Sequence, residues 1–556
     1  MRIRLLLTSI LAATAVSAPA FAQRVQPLPD PMATSSYGQF LAGRVAMNGG
    51  DSQAAADYFA GALSGSNGEF LARERAFSSA ILAGDIRGAA AVPLTAEESN
   101  IAVLEAGRLA RVVTAILDNR PRPMNAELRA DPIAPPHAWA GALVARWLAA
   151  NAGDWERAVA PPPQNADALT RILSGFHRAL LLEQRRRYDE ADAQFRALML
   201  DGAAANMTRL TYGEFLERRR RRDDAIALYD AGLARGSDAA LLAARERAAA
   251  GRRAPDGPTL EQGAALAFSH GAAAATIAGA HEFAVAYLQM ALALDPDDGE
   301  SWLTLGQALN EIGMPATARQ VWARTPHDSR AYADAQIALA ASLDEAGEGE
   351  EALRVARQAA SAQPSAASAY TLAALLTQHE DYPEALAVLD GPALSGLEDW
   401  NLYFLRGAAN ERLGRFEAAE TAFQQALALA PDQPEILNYL GYMWIDSGTR
   451  IEDGLAMVER AVLADPDNGS YQDSLGWGRY HQGDYEEAVR LLEMAVGLNP
   501  ASAEINDHLG DAYWQVGRRR EAEFQWRRAL TLDPEDDIRA DAEAKLQGRE
   551  PGLHAR

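Results

Sequence analysis

The chain has 556 residues, a net charge of −24 at pH 7, 48% hydrophobic residues and no cysteine. Its acidity argues against nucleic acid or an anionic lipid surface as the main partner. The missing cysteine excludes disulfides, thiolate metal sites, a cysteine nucleophile and a lipid-modified N-terminal cysteine.

The chain opens with Arg2 and Arg4, an apolar run from Leu5 to Val16, and the small–x–small pattern Ala20-Phe21-Ala22. This predicts a signal peptide over residues 1–22, cut after Ala22, and a mature chain exported to a bacterial periplasm. An uncleaved anchor is the alternative, but about a dozen apolar residues are short for a bilayer, and no later run is long enough to span one. Residues 23–36 carry Pro27, Pro29 and Pro31 and read as an extended linker.

Residues 37–118 look like helical hairpins. Gly43, Ala55, Phe59 and Ala62 begin the pattern, and Gly84 and Ala89 repeat Gly50 and Ala55 after 34 residues. Leu104 to Asp118 stays helical. Residues 119–136 hold Pro121, Pro123, Pro132, Pro135 and Pro136 and predict a loop or a tightened connection. The pattern resumes over 137–399. Ala191 and Phe195 recur as Ala225 and Tyr229, Gly251 to Pro258 interrupts, and Trp302, Leu305, Gly306, Ala318 and Trp322 form a near-complete unit.

Residues 400–534 carry the pattern most fully. Leu475-Gly476, Ala488, Ala495 and Pro500 recur 34 residues later as Leu509-Gly510, Ala522, Ala529 and Pro534; Leu440-Gly441, Ala461 and Pro466 precede them with one extra residue. Small residues let two helices approach, Leu492 and Trp526 are expected to fill the gap to the next repeat, and proline ends the second helix because it cannot continue the hydrogen-bond ladder. Residues 535–556 suit a polar capping helix and tail. The period and its offsets resemble the tetratricopeptide repeat, TPR. The resemblance implies an all-α fold, a right-handed TPR superhelix (α-solenoid) of roughly fourteen helical hairpins, some degenerate.

Little suggests chemistry. There is no HExxH, phosphate loop, nucleophile elbow or paired-carboxylate framework. The reading is therefore non-enzymatic, with no catalytic residue, metal or cofactor. Arg185–Arg187 and Arg218–Arg222 fall at turns between the two helices of a repeat. They read either as a patch for a phosphate or acidic partner or, more simply, as solvated turns in an arginine-biased chain. Lys545 is the single lysine, which reads as the same bias.

In the TPR family the first helix of each repeat lines the groove. On this chain those positions include Tyr439, Tyr442, Asp473, Trp477, Tyr480, His481, Asp507, His508, Asp511 and Trp514, with Asn438, Asp446, Ser474 and Gln515 beside them. Aromatic rings among polar neighbours suit a protein-partner groove. The alternative is that the superhelix closes on itself and buries these rings. The segments LNYLGYMWIDSG, DSLGWGRYHQGDYEEAVRLLEMAV and INDHLGDAYWQVGRRREAEFQWRRAL further resemble the C-terminal repeats of proteobacterial envelope TPR adaptors that recruit a carboxyl-terminal processing protease to cell-wall hydrolases. That resemblance implies a periplasmic scaffold for protein partners, a protease or an envelope complex among them. A passive element of an envelope or polysaccharide-export assembly, or a glycan-binding protein, are the other readings. Partner identity and oligomeric state are not legible.

Overall fold

The computed structural model describes residues 36–49, 51–65, 70–97, 99–162, 166–236 and 238–552. The expected signal peptide and nearly all of the proline-rich linker lie outside them. The described residues form thirty α-helices and no strand. They divide into two compact units, one ending at Glu348 and one beginning at Gly349.

The N-terminal unit contains α1 (Ser36–Asn48), α2 (Ser52–Gly65), α3 (Phe70–Leu82), α4 (Ile86–Ala91), α5 (Ile101–Leu117), α6 (Pro121–Ala130), α7 (Ala138–Asn151), α8 (Trp155–Ala158) and α9 (Ala168–Gln184). It continues with α10 (Tyr188–Met199), α11 (Gly202–Arg218), α12 (Arg222–Leu233), α13 (Ala239–Ala249), α14 (Leu260–Ile277), α15 (His281–Leu294), α16 (Gly299–Glu311), α17 (Pro315–Trp322) and α18 (Tyr332–Glu345). The C-terminal unit contains α19 (Gly349–Ala362), α20 (Ala366–Gln378), α21 (Tyr382–Leu389), α22 (Trp400–Arg412), α23 (Phe416–Leu429), α24 (Pro434–Asp446), α25 (Ile451–Ala464), α26 (Gly469–His481), α27 (Tyr485–Leu498), α28 (Ala503–Gln515), α29 (Arg519–Leu530) and α30 (Asp536–Leu546). In both units consecutive helices pack as antiparallel pairs.

The repeat signature has a direct steric meaning. A Cβ on Gly407 would meet the Phe423 ring at 2.6 Å, and one on Gly510 would meet the Trp526 indole at 2.5 Å; Gly306 faces Trp322 in the same way. The large residue thus lies over the glycine of its own repeat, and Trp526 also faces the following helix, where Lys545 Nζ stands 5.8 Å from its ring. A glycine removes a side chain where the rings must enter, so the helix pair closes around a fully buried aromatic. In α24 and α25 no ring intervenes. Cβ atoms on Gly441 and Gly454 would each meet the other's carbonyl oxygen, at 2.8 and 2.6 Å. The extra residue of this repeat falls in the turn between the two helices, which runs over 447–450 where the next repeat's runs over 482–484.

Two local expectations change. The proline-rich stretch is not all loop, because α6 starts at Pro121, the first helical position, where a missing N–H costs nothing. The arginine runs are not free turns. Arg218 makes two bonds to Glu183, at 2.8 and 2.9 Å, and Arg221 reaches Asp192 at 3.0 Å. Arg219 covers the Tyr188 ring at 3.8 Å and Arg185 the Trp155 ring at 5.2 Å. Arg186 and Arg220 take positive φ values of 62° and 63°, a conformation that other turns of the array give to glycine.

The N-terminal unit also buries a polar chain. Trp147 Nε1 donates to His177 Nδ1 at 3.0 Å, and His177 Nε2 lies 3.0 Å from His270 Nδ1. An indole N–H can only donate, so His177 must carry its proton on Nε2 and donate to His270. This links α7 to α9 and, across 93 sequence positions, α9 to α14. Burial lowers the pKa of both imidazoles, that of His270 to about 4, and keeps them neutral.

Candidate functional site

The first helices of the last four repeats, α22, α24, α26 and α28, stack so that α24 packs on α26, α26 on α28 and α28 on α30. This direct stacking decides where the predicted groove residues go. Asp473, Trp477, Tyr480, Asp507, His508 and Asp511 are all buried. Tyr442, His481 and Trp514 are half-buried, and Tyr439 keeps 45% of its surface exposed. The expectation of an open face lined by all ten is therefore corrected for six. Neighbouring repeats approach closely enough that their inner side chains pack on one another.

The six form one connected interior. The Trp477 ring is stacked between Tyr480 at 4.7 Å and His508 at 4.0 Å, with interplanar angles of 10° and 12°. Its Nε1 donates to Asp446 at 3.2 Å. His508 Nδ1 donates to Asp473 at 3.0 Å. Burial opposes a charge on His508, but Asp473, with Glu504 and Asp507 behind it, outweighs burial and raises its pKa to about 9. An imidazolium is therefore held flat on the indole at neutral pH, an arrangement that gains cation–π as well as ion-pair energy.

The second half of the interior centres on Lys545, carried by the capping helix α30. Its Nζ lies 2.8 Å from Asp507 Oδ2, 2.6 Å from Asp511 Oδ1 and 2.6 Å from Asp541 Oδ2. Its side chain is 1% exposed. Three clustered carboxylates are a geometry that a divalent cation can use. Here the ammonium group occupies the centre of that cluster. Burial and the neighbouring Asp507 push the pKa of Asp511 up, against the pull of Lys545. Asp511 also accepts from Trp526 Nε1 at 2.9 Å, which ties the cap to the buried ring of the last repeat. Lys545 is the residue the sequence reading missed. Its signal was available, as the one lysine of the chain on a helix needing a partner.

Further bonds cross the face. Tyr442 donates to Glu504 at 2.8 Å over 62 sequence positions, and Arg412 makes two bonds to Glu535, at 3.1 and 2.8 Å, over 123 positions. The C-terminal unit thus curves until side chains several repeats apart touch. What stays accessible is a smaller surface. Tyr439 lies against Phe404 at 5.1 Å and Phe423 at 5.9 Å, and Trp514 is covered on one face by the Arg519 guanidinium at 3.5 Å. The side chains in this interior are engaged structurally, and no nucleophile stands beside a base at bonding distance in it. A rigid surface of rings with polar neighbours can bind a protein partner.

No helix among the described residues is long and apolar enough to cross a membrane. Models of the tetratricopeptide repeat match residues 287–320, 400–443 and 503–536, and a TPR repeat model matches 479–517. A TPR repeat-containing protein of Pseudomonas aeruginosa is 29% identical over 182 residues, 32% of this chain and 31% of that protein. The BBSome complex member bbs-4 of Caenorhabditis elegans is 24% identical over 120 residues, 22% of this chain and 24% of that protein. The chain thus spans less than a third of the length of these curated relatives. Among solved structures, a tetratricopeptide repeat protein from Parabacteroides merdae aligns with a TM-score of 0.38 at 12% identity, over 45% of this chain and 99% of that one. The Cut9–Hcn1 hetero-tetramer of the APC/C aligns with a TM-score of 0.39 at 14% identity, over 93% and 98%. The matched repeats, the helix pairs and the glycine-to-ring packing converge on one conclusion: the chain carries tetratricopeptide repeats, which indicate a scaffold for protein–protein contacts.

Proposed function

We propose that the protein is a non-enzymatic scaffold of the bacterial periplasm. Its C-terminal unit docks a protein partner, and it recruits a carboxyl-terminal processing protease to cell-wall hydrolases. The observation that carries this reading is the division of labour on the first-helix face. A buried, ion-paired base of Asp473, Trp477, His508, Asp511 and Lys545 backs the accessible ring of Trp514, and Phe404 and Phe423 hold that of Tyr439. A preorganised surface loses little entropy when a partner docks. Binding two partners on one rigid frame raises their effective concentration, which is all that a recruiting protein needs to do. The signal-like residues 1–22 support export.

The glycan-binding reading is less favoured. Both faces of Trp477 are taken by protein rings, so it offers no plane to a sugar. The test uses the mature chain, the purified processing protease of the same periplasm, and a Tyr439→Ala/Trp514→Ala variant. Binding and faster hydrolase turnover with the wild type, weakened at least about tenfold in the variant, support the site. Binding unaffected by the variant moves the site elsewhere. No binding removes the protease from the proposal.

A further inference from the structure

The N-terminal unit carries a groove of its own. We propose that it seats a basic segment of a partner protein, bearing lysine or arginine. The groove is a cavity of about 450 Å³ bordered by α9, α11, the loop before α14, and α14 itself. Its wall carries Glu214, Asp295, Asp298, Arg218 and Arg330. The volume lies within the range of binding pockets, roughly 300–1,000 Å³.

The charges of the wall differ in what already engages them. Arg218 is held by Glu183 through both nitrogens and donates a third bond to the Pro255 carbonyl at 2.9 Å. Arg247, 3.4 Å from Glu214, is shared with Glu217 at 2.8 Å. By contrast Asp295 and Asp298, with Glu300 and Asp334 beside them, make no ion pair among the described residues; Asp298 accepts only from Ser301 Oγ, at 2.6 Å. Arg330 is the remaining cation of the wall. It is exposed and acts on both Glu214 and Glu300.

Asp295 and Asp298, which line the groove, are partly withdrawn from water, while Glu300 and Asp334 stand exposed beside it. Burial raises the pKa of Glu214, Asp295, Glu300 and Asp334, and at Asp295 the neighbouring Asp298 and Asp297 add to it. A partly buried carboxylate without an ion pair, as at Asp295 and Asp298, is where an incoming ammonium or guanidinium gains most. Thr211 and Gln262 supply neutral polar groups, and Leu180 and Ala265 an apolar floor. An acidic segment would be repelled, so the charge pattern selects the partner's chemistry. In the arginine runs nearby, Arg218 and Arg221 are held by internal carboxylates, so the groove's unpaired charge is acidic.

The test is calorimetry on the full chain with two probes, acetyl-Ala-Arg-Ala-Lys-Ala-amide and its counterpart with glutamate at both charged positions. The basic peptide is expected to bind and the acidic one not. Asp295→Asn/Asp298→Asn should weaken binding at least about tenfold, and Arg330→Ala should strengthen it several-fold. Asp432→Asn/Asp467→Asn removes equal charge from exposed positions of the other unit and should change nothing. The proposal is overturned if both peptides bind alike, or if that control loses as much affinity as the groove variant. Circular dichroism checks the fold of each variant. Arg330→Ala keeps the test decisive if the double variant fails to fold, because unchanged affinity there also overturns the proposal.

Discussion

Removing the charge of Lys545 should unfasten the end of the array. Lys545→Met keeps most of the side chain's length and apolar stem but leaves Asp507 and Asp511 buried without a counter-ion. Breaking a buried ion cluster by deleting one partner costs about 3–5 kcal/mol, most of it the desolvation of the carboxylates left behind. In a repeat array the loss is local, because each element contacts only its neighbours. Amide exchange in α30 and α29 should therefore accelerate well before that of α24, and the first transition in urea should move to lower concentration. The same substitution in an Asp507→Asn/Asp511→Asn background should cost under about 1 kcal/mol, since no charge is then orphaned. The defect should also shrink toward pH 5, because burial and the neighbouring Asp507 already push the pKa of Asp511 up to about 6. In the intact protein the sign is opposite. Burial opposes the charge on Lys545, but Asp511 and Asp507 outweigh it and raise its folded pKa. Its contribution is therefore complete below its unfolded value of 10.5 and is lost as pH rises through the folded one. Equal destabilisation in both backgrounds, or unchanged exchange in α30, would refute the reasoning.

Other expectations can be checked with the same preparations. His270 has a folded pKa of about 4 against an ordinary value of 6.5, so its stabilisation is whole above pH 6.5 and declines by about 3 kcal/mol as pH falls toward 4. His177→Gln/His270→Gln should flatten that part of the pH–stability profile; an unchanged slope would assign it to carboxylates instead. Gly454→Val places a side chain against the Gly441 carbonyl and should lower stability by about 1–3 kcal/mol or more, measured by thermal melting. Arg220→Gly should stabilise by about 0.5–1 kcal/mol, because its φ of 63° suits glycine and its side chain is exposed. A destabilised Arg220→Gly variant would mean that the guanidinium makes contacts worth more than the strain.

The sequence by itself determined the repeat. Gly407 with Phe423 and Gly510 with Trp526 stand sixteen positions apart, so the contact that closes each helix pair is written within one repeat. Sequence reading could therefore identify the repeats, their hairpins and the cap. The fate of the first-helix face was decided elsewhere. Trp477 looks like a groove residue from its position, yet it is clasped between rings of its own helix and of α28, and Lys545 becomes a buried cation only when α30 folds back on Asp507 and Asp511. The helix α6 within the proline-rich stretch, and the carboxylates that meet Arg218 and Arg221, escaped it for a related reason, since local residue type does not say what lies across from it. A small rotation per repeat accumulates into curvature, and curvature brings Tyr442 to Glu504 and Arg412 to Glu535. That sum is a property of the packed array, and no single 34-residue period contains it.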